Sequence, residues 1–180
     1  MTKQRAMRHS SMTQELALKL WIYNPETGSF RWREYGPKRC TWLEAGSIDS
    51  GNYRIVHYGP RGDSHAFFVQ DLIWLMVHGK WPDNSLDHKN GNGLDNRLDN
   101  LRPATMAQNN MNKARSSANT SGFKGVIWNK QRGKWMARIK LNGRMKYLGL
   151  FDNPALAHIV YQQAAQEHFG EFANPGDHNA

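Results

Sequence analysis

From Lys134 to Leu141 the chain alternates strictly, with Trp135, Ala137, Ile139 and Leu141 on one side and Lys134, Met136, Arg138 and Lys140 on the other. Successive side chains of an extended chain point to opposite faces, so this stretch predicts a half-buried strand with a basic outer face. Asn142-Gly143 follows, a strong two-residue hairpin signal, and sets Leu141 against Arg144, Lys140 against Met145 and Arg138 against Tyr147. An earlier strand, Gly125 to Asn129, would complete a three-stranded antiparallel sheet. The period then turns helical. Asp152 or Asn153 can serve as N-cap, Pro154 suits the first helical position, Leu156, Ile159, Val160 and Ala164 recur at helical spacing, and Gly170 lies beyond the end. That helix is expected to cover the apolar face of the sheet.

The first half reads less regularly. In "IYNPETGSFRW" the pairs Asn24-Pro25 and Thr27-Gly28 sit between apolar stretches and predict strand, turn and strand, and a second pair is expected to flank "YGPRGDS". His65 to His78 predicts a core helix, apolar at Phe68, Leu72, Leu75 and Met76, with Gly79 and Pro82 as stops. His78 reads first as a capping or buried histidine. Next come a short strand ending in Leu86-Asp87-His88, a loop of Asn and Gly, a second strand from Asn100 to Ala104, and a helix begun by Thr105 with Gln108 completing a capping box. The stretch "ARSSANTS", 114–121, is small and polar without apolar periodicity and reads as a linker. The expected division is a basic flexible tail at 1–12, one domain at 13–113, the linker at 114–121 and a second domain at 122–175.

Composition narrows the setting. The 180 residues are 39% apolar and 11% aromatic, enough for modest cores. The first dozen residues are basic and polar, and no run of apolar residues is long enough to span a bilayer. The expectation is an intracellular, cytoplasmic protein of phage or prokaryotic type, without signal peptide or membrane contact. Cys40 is the single cysteine, which excludes an intrachain disulfide and any zinc site built on paired cysteines, and it reads as a buried small residue.

The net charge of +9 is unevenly spread: residues 114–150 hold nine Lys or Arg and no Asp or Glu. A concentrated field of one sign attracts a polyanion, and nucleic acid is the usual one. The competing explanations are a solvated basic surface or an anionic membrane face. A sheet with one face closed by a helix and the other carrying cations and aromatics favours double-stranded DNA, because strands can enter the major groove.

"LDHKNGNGLDNRLDNLRPATMAQNN", 86–110, places Asp87 and His88 side by side and follows them with Asn90, Asn92, Asn96, Asn100, Asn109 and Asn110. This set suits phosphodiester hydrolysis. A hard divalent ion takes oxygen ligands, few from protein and the rest from phosphate and water, and a histidine with a pKa of about 6.5 can take a proton from the attacking water. Asparagines supply amide oxygens and brace loops. Neighbours on a regular strand point apart, so Asp87 and His88 can share a site only where the strand ends or bends, as Asn90-Gly91 permits.

"DHKNGNGLDNRLDNLRPATMAQN" resembles the HNH nuclease family, the ββα-metal fold, and especially HNH homing endonucleases. The signature positions fall on His88, on Asn100 twelve residues later and on Asn109 nine after that. The resemblance implies His88 as general base, Asn100 as a hydrogen-bonding brace that holds the His88 strand, and Asp87 and Asn109 as ligands of one Mg²⁺ or Mn²⁺ per active site, with 3′-hydroxyl and 5′-phosphate products. The third position is histidine in many members, and Asn110 and Asn112 stand close enough to be alternatives. Asn96 would brace the loop. The resemblance covers roughly Thr13 to Lys113, with the ββα-metal motif at about 85–113. No structural zinc is expected.

"GFKGVIWNKQRGKWMARIKLNGRMKYLGLFDNPALAHIVYQQAAQEHFGEFAN" resembles the AP2/ERF-type DNA-binding domain. By position its DNA contacts would fall on Lys124, Ile127, Asn129, Arg138, Lys140, Met145 and Tyr147; plain packing is the alternative for Tyr147 and Trp128, and the better reading for Trp135. The expected fold is therefore α+β, a small ββα-metal nuclease domain linked to an AP2-type three-stranded antiparallel sheet packed on one helix. The expected function is a site-selective homing endonuclease. Its alternative is a non-catalytic DNA-binding transcriptional regulator. Arg31, Arg33, Lys38 and Arg39 are further candidates for DNA contact.

Overall fold

The computed structural model describes residues 11–34, 41–113, 115 and 118–174. Cys40, Lys38, Arg39 and nearly all of the expected tail lie outside the described residues. The chain divides into two compact units, residues 1–105 and 106–180. The described residues form a mixed α+β structure with four α-helices and four small sheets. None of these helices is long and apolar enough to cross a membrane.

Trp21 organises the first unit. Helix α1 (Gln14–Leu20) starts where Thr13 Oγ1 accepts from the Leu16 amide at 3.2 Å, and it runs directly into strand β1 (Trp21–Tyr23). Strand β2 (Phe30–Trp32) returns antiparallel, with Trp21 opposite Trp32. Trp21 is fully buried, with the rings of Phe30, Trp32 and Tyr58 centred 5.5, 5.1 and 5.9 Å away. Met12 is buried in the same cluster, so the last residue of the stretch expected as a flexible tail is part of the core.

A three-stranded antiparallel sheet follows, in the order β3 (Ser47–Ile48), β4 (Arg54–Tyr58), β5 (His65–Phe68). Helix α2 then spans Val69–His78 and ends at Gly79 in the left-handed conformation. The helix expected from His65 thus begins four residues later, because His65–Phe68 pair with Tyr58–Ile55 as a strand. Aromatic side chains at 67 and 68 favour that extended ladder, and Phe68 is 42% exposed instead of facing the core. Leu72, Ile73, Leu75 and Met76 do face it. His78 is exposed rather than buried, its ring centre 4.0 Å from that of Trp74 one turn back. The unit closes with β6 (Ser85–His88) and β7 (Leu101–Ala104), antiparallel, with Asp87 opposite Arg102 and His88 opposite Leu101. Asn100, expected in the second strand, belongs to a 3₁₀ turn, Leu98–Asn100, that leads into it.

The second unit opens with helix α3 (Met106–Asn112). Strands β8 (Val126–Asn129), β9 (Lys134–Leu141) and β10 (Arg144–Phe151) form an antiparallel sheet ordered β10-β9-β8. Arg144 pairs with Leu141, Met145 with Lys140 and Tyr147 with Arg138, as the Asn142-Gly143 turn requires, and a bulge shifts the register between Tyr147 and Gly149. The end of the expected linker is ordered: Ser121 Oγ donates to the Val126 carbonyl at 2.8 Å and Asn119 Nδ2 to the Phe123 carbonyl at 2.9 Å.

Helix α4 (Pro154–Phe169) is capped by Asn153, whose Oδ1 accepts from the Ala155 amide at 2.7 Å. It covers one face of the sheet, but of the residues expected to do so only Ala164 lies in the buried core. Ala157, Tyr161, Ala164 and Ala165 pack against Val126, Ala137, Ile139 and Leu148, while Leu156 and Ile159 are 54% and 48% exposed. The alanines let the helix lie close to the sheet, and the bulk of the core comes from the strands. The closeness is greatest at Gly125, where φ is +76° and an added Cβ would overlap the Tyr161 ring. Gly125→Ala should therefore lower the stability of the second unit by about 2 kcal/mol or more, read as an earlier unfolding transition by circular dichroism.

Candidate active site

The loop between β6 and β7 is built from its own asparagines. Asn100, 5% exposed, uses both ends of its amide: Oδ1 accepts from the Asn90 amide at 3.0 Å, and Nδ2 donates to Asn90 Oδ1 at 3.0 Å and to the Asp95 carbonyl at 2.7 Å. Its carbonyl accepts from the Lys89 amide at 2.9 Å. Asn90 Oδ1 also takes the Asn92 amide, and Asn92 Oδ1 takes the Leu94 amide, at 2.9 and 3.0 Å. These are local turns of the kind asparagine favours, side-chain oxygen to the amide two residues on. Asn90 Nδ2 and the Arg97 guanidinium both reach the Asp95 carboxylate, at 2.8 and 2.9 Å. Arg97 is the main reason that this carboxyl is held below its ordinary range.

Residues far away in sequence press on the loop from outside. Tyr23 donates its hydroxyl to the Asn96 carbonyl at 2.9 Å, and the Leu98 amide donates to the Pro25 carbonyl at 3.3 Å. Burial, reinforced by the charge of Asp99, pushes the Tyr23 hydroxyl up to about 12, so it remains a donor across the physiological range. Gly93 lies so close to Tyr53 and the Asn52 carbonyl that a side chain there would overlap them.

Asp87 and His88 are held at the end of β6 by different partners. Asp87, 7% exposed, receives Arg102 Nε at 2.9 Å and Nη2 at 2.8 Å, both on Oδ2. His88, 4% exposed, lies with Nε2 3.1 Å from Asn96 Oδ1 and its ring centre 5.8 Å from that of Tyr53. Both residues fall inside the strand, and the chain turns immediately afterwards, with the Gly91 amide donating to the His88 carbonyl at 2.8 Å. Burial lowers the His88 pKa below 6.5, against the Asn96 hydrogen bond and the charges of Asp87 and Asp95, which favour protonation. The imidazole is thus uncharged at neutral pH. An amide oxygen only accepts, so Nε2 carries the proton towards Asn96 and Nδ1 is the basic nitrogen.

Asp87, His88 and Asn100 therefore come together in the first unit, whereas Asn109 is carried by α3, which counts with the second. Asn109 is half-buried, Asn110 is exposed, and Asn112 is buried with its carbonyl accepting from Asn174 Nδ2 at 2.6 Å. Among the described residues no three His, Cys, Asp or Glu side chains gather as a metal-binding group. An ion here would have to draw on amide, phosphate or water oxygens as well.

Of the expected DNA contacts, Ile127, Asn129, Arg138, Lys140, Met145 and Tyr147 share the sheet face opposite α4, together with Lys134 and Met136. Met145 and Tyr147 are 51% and 58% exposed. Lys124 is placed differently: its Nζ donates to the carbonyls of Met111, Lys113 and Asn174 at 3.1, 2.6 and 3.0 Å. Trp135 is partly buried against α4, and the exposed Trp128 meets it edge-on at 4.9 Å.

Arg102, Tyr23 and Tyr53 support the site without having stood out in the sequence, and Asn96, expected as a loop brace, is the partner of His88. Arg102 was within reach, since antiparallel pairing of the two strands sets it opposite Asp87. Asn96 as the partner of His88, and Tyr23 and Tyr53 as supports, follow only from the tertiary fold.

Residues 67–111 match the family model described as HNH endonuclease. Protein 3.8 of Escherichia phage T7 is 32% identical over 102 residues, which cover 56% of this chain and 84% of that protein. The uncharacterized HNH endonuclease L560 of Acanthamoeba polyphaga mimivirus is 36% identical over 105 residues, 58% of this chain and 54% of that protein. The chain belongs to the HNH endonuclease family, with its HNH domain at residues 67–111. That membership supports a nuclease.

The depressed His88 pKa has a measurable consequence. Because its folded value lies below 6.5, His88 contributes stability that is complete above 6.5 and is lost as pH falls through the lower folded value. The His88 ring should titrate below 6.5 by NMR, and the unfolding free energy of the native chain should fall with acid more steeply than that of His88→Gln. Equal acid dependence in the two proteins would remove His88 as the cause.

Proposed function

We propose that the chain is a site-selective DNA endonuclease of the homing type, in which residues 13–113 cut and residues 122–175 help choose the site. The observation that carries this reading is His88: a buried, uncharged imidazole next to Asp87, with Nε2 3.1 Å from Asn96 Oδ1. A buried ring with one nitrogen anchored is poised for proton transfer rather than for packing alone.

In this mechanism His88 takes a proton from a water whose oxygen attacks the scissile phosphorus. The bond to the 3′ oxygen breaks and that oxygen takes a proton from a solvent water, leaving a 3′-hydroxyl and a 5′-phosphate. Asn100 keeps the loop in shape through Asn90 and Asp95, and Asn96 holds the ring. Asp87 and Asn109 offer a carboxylate and an amide oxygen, a donor set suited to a hard divalent ion. One Mg²⁺ or Mn²⁺ held there would neutralise charge on the phosphate and the leaving oxygen. Arg102 pairs with Asp87 through an Nε hydrogen bond at 2.9 Å and an Nη2 ion-pair contact at 2.8 Å, which keeps this buried carboxylate ionised for the ion.

The second unit supplies the surface for DNA. A sheet backed by one helix, with Arg138, Lys140, Met145 and Tyr147 on its outer face, supports the resemblance to AP2/ERF domains and pairs cations for phosphate with apolar groups for base edges. Lys124, engaged by three carbonyls, is left out of this interface.

Supercoiled plasmid and long genomic DNA incubated with the protein should be nicked with Mg²⁺ and spared with chelator. His88→Ala should lower the rate by about 100-fold or more. Absence of any metal-dependent nick by the native chain would favour a DNA-binding regulator instead. For the interface, Arg138→Ala with Lys140→Ala should weaken binding and reduce the slope of log affinity against log salt by about 2. Unchanged affinity in gel-shift titrations would show that this face is not the reader.

A further inference from the structure

Lys124 is one of nine cations in a segment that carries no acid, yet its ammonium is turned away from the basic face and spent on carbonyl oxygens. An ammonium has three N–H donors, and Lys124 Nζ has three acceptors, the carbonyls of Met111, Lys113 and Asn174. Asn174 is fully buried and its side chain donates to the carbonyl between the first two, that of Asn112, at 2.6 Å. Three consecutive carbonyls at the C-terminal end of α3 are thus engaged by two side chains from later in the second unit, Lys124 before its sheet and Asn174 after its last helix.

Those carbonyls are the ones a helix end leaves without intrahelical partners, and the end of a helix favours a positive charge. The helix needs such help. It has seven residues, well short of the roughly 12 to 15 at which isolated helices become even marginal in water, and three of them, Asn109, Asn110 and Asn112, compete with the helix through side-chain hydrogen bonds to the backbone. Burial also pushes the Lys124 ammonium down to about 8, a cost that a lysine with no structural role would avoid by turning to solvent. Asn109 stands two residues before the first clamped carbonyl. Thr105 alone joins β7 to α3.

We propose that Lys124 and Asn174 are positioning residues of the nuclease: by gripping the C-terminal end of α3 they fix where Asn109 presents its amide oxygen to the metal ion. The inference rests on the metal role proposed for Asn109. It makes the sheet domain a structural part of the catalytic motif, since the last helix of that motif depends on side chains from beyond the linker.

The test uses the full chain and Lys124→Met, with Asn174→Ser as a second variant in case the first fails to fold. Four readouts separate the roles: amide hydrogen exchange of 106–112, Mn²⁺ affinity by electron paramagnetic resonance without DNA, DNA affinity in chelator, and plasmid nicking against Mg²⁺ concentration. The clamp predicts faster exchange in 106–112, Mn²⁺ binding and half-saturating Mg²⁺ weakened by about 10-fold, and unchanged DNA affinity. Unchanged exchange and Mn²⁺ affinity in the folded variant would overturn it, as would a loss of DNA affinity with Mn²⁺ binding intact, which would make Lys124 a DNA contact. If the native chain neither binds Mn²⁺ nor nicks, the nuclease reading itself fails; native nicking with unaffected variants removes the clamp alone.

Discussion

Everything proposed for the catalytic centre depends on the connection between β6 and β7, 89–100, keeping one shape with only a single 3₁₀ turn at its end. Backbone amides and carbonyls outside helix or sheet still need partners when water is excluded, and here Asn90, Asn92 and Asn100 provide them. The amide side chain is suited to this because it donates and accepts at once without charge. Carboxylates at the same positions would accept only, and would crowd negative charge where the proposed function brings a phosphate. Asp95, the acid that Asn90 bonds, is matched by Arg97, which also pairs with Asp99 at 3.9 Å.

Burial acts in opposite ways on the two neighbours at the end of β6. Asp87 is a buried acid that keeps a cationic partner across the strand pair, and loss of Arg102 would strand an uncompensated charge in the interior. His88 is a buried base that resolves the same problem by remaining neutral. One strand end thus holds a charged ligand candidate and an uncharged proton acceptor side by side, with Arg102 and Asn96 as the residues that set them apart.

How legible this was from the sequence depended on how local the cause was. The β9–β10 register followed from alternation and one Asn-Gly pair, and strands on either side of Asn24-Pro25 and "YGPRGDS" followed from turn chemistry. The start of α2 was misjudged because His65–Phe68 suit both periods, and a partner strand decided between them. The buried face of α4 shares only Ala164 with the expected one, because alanine carries little apolar signal, although its small size is what the sheet selects. At the site, Asp87, His88 and Asn100 stood out by spacing, whereas Asn96, Tyr23 and Tyr53 gain their roles only when distant segments meet.

The bulge between Tyr147 and Gly149 divides β10 into two stretches of unlike character. Beyond it, Gly149, Leu150 and Phe151 are half-buried, and Leu148 and Phe151 belong to the core under α4; before it, Arg144, Met145, Lys146 and Tyr147 are all exposed. Substitutions at exposed positions of this kind usually change stability by no more than about 0.5 kcal/mol. The hairpin tip therefore tolerates substitution while the fold stays intact, so under the proposed function it is the place where a change of target preference would least disturb the rest of the molecule.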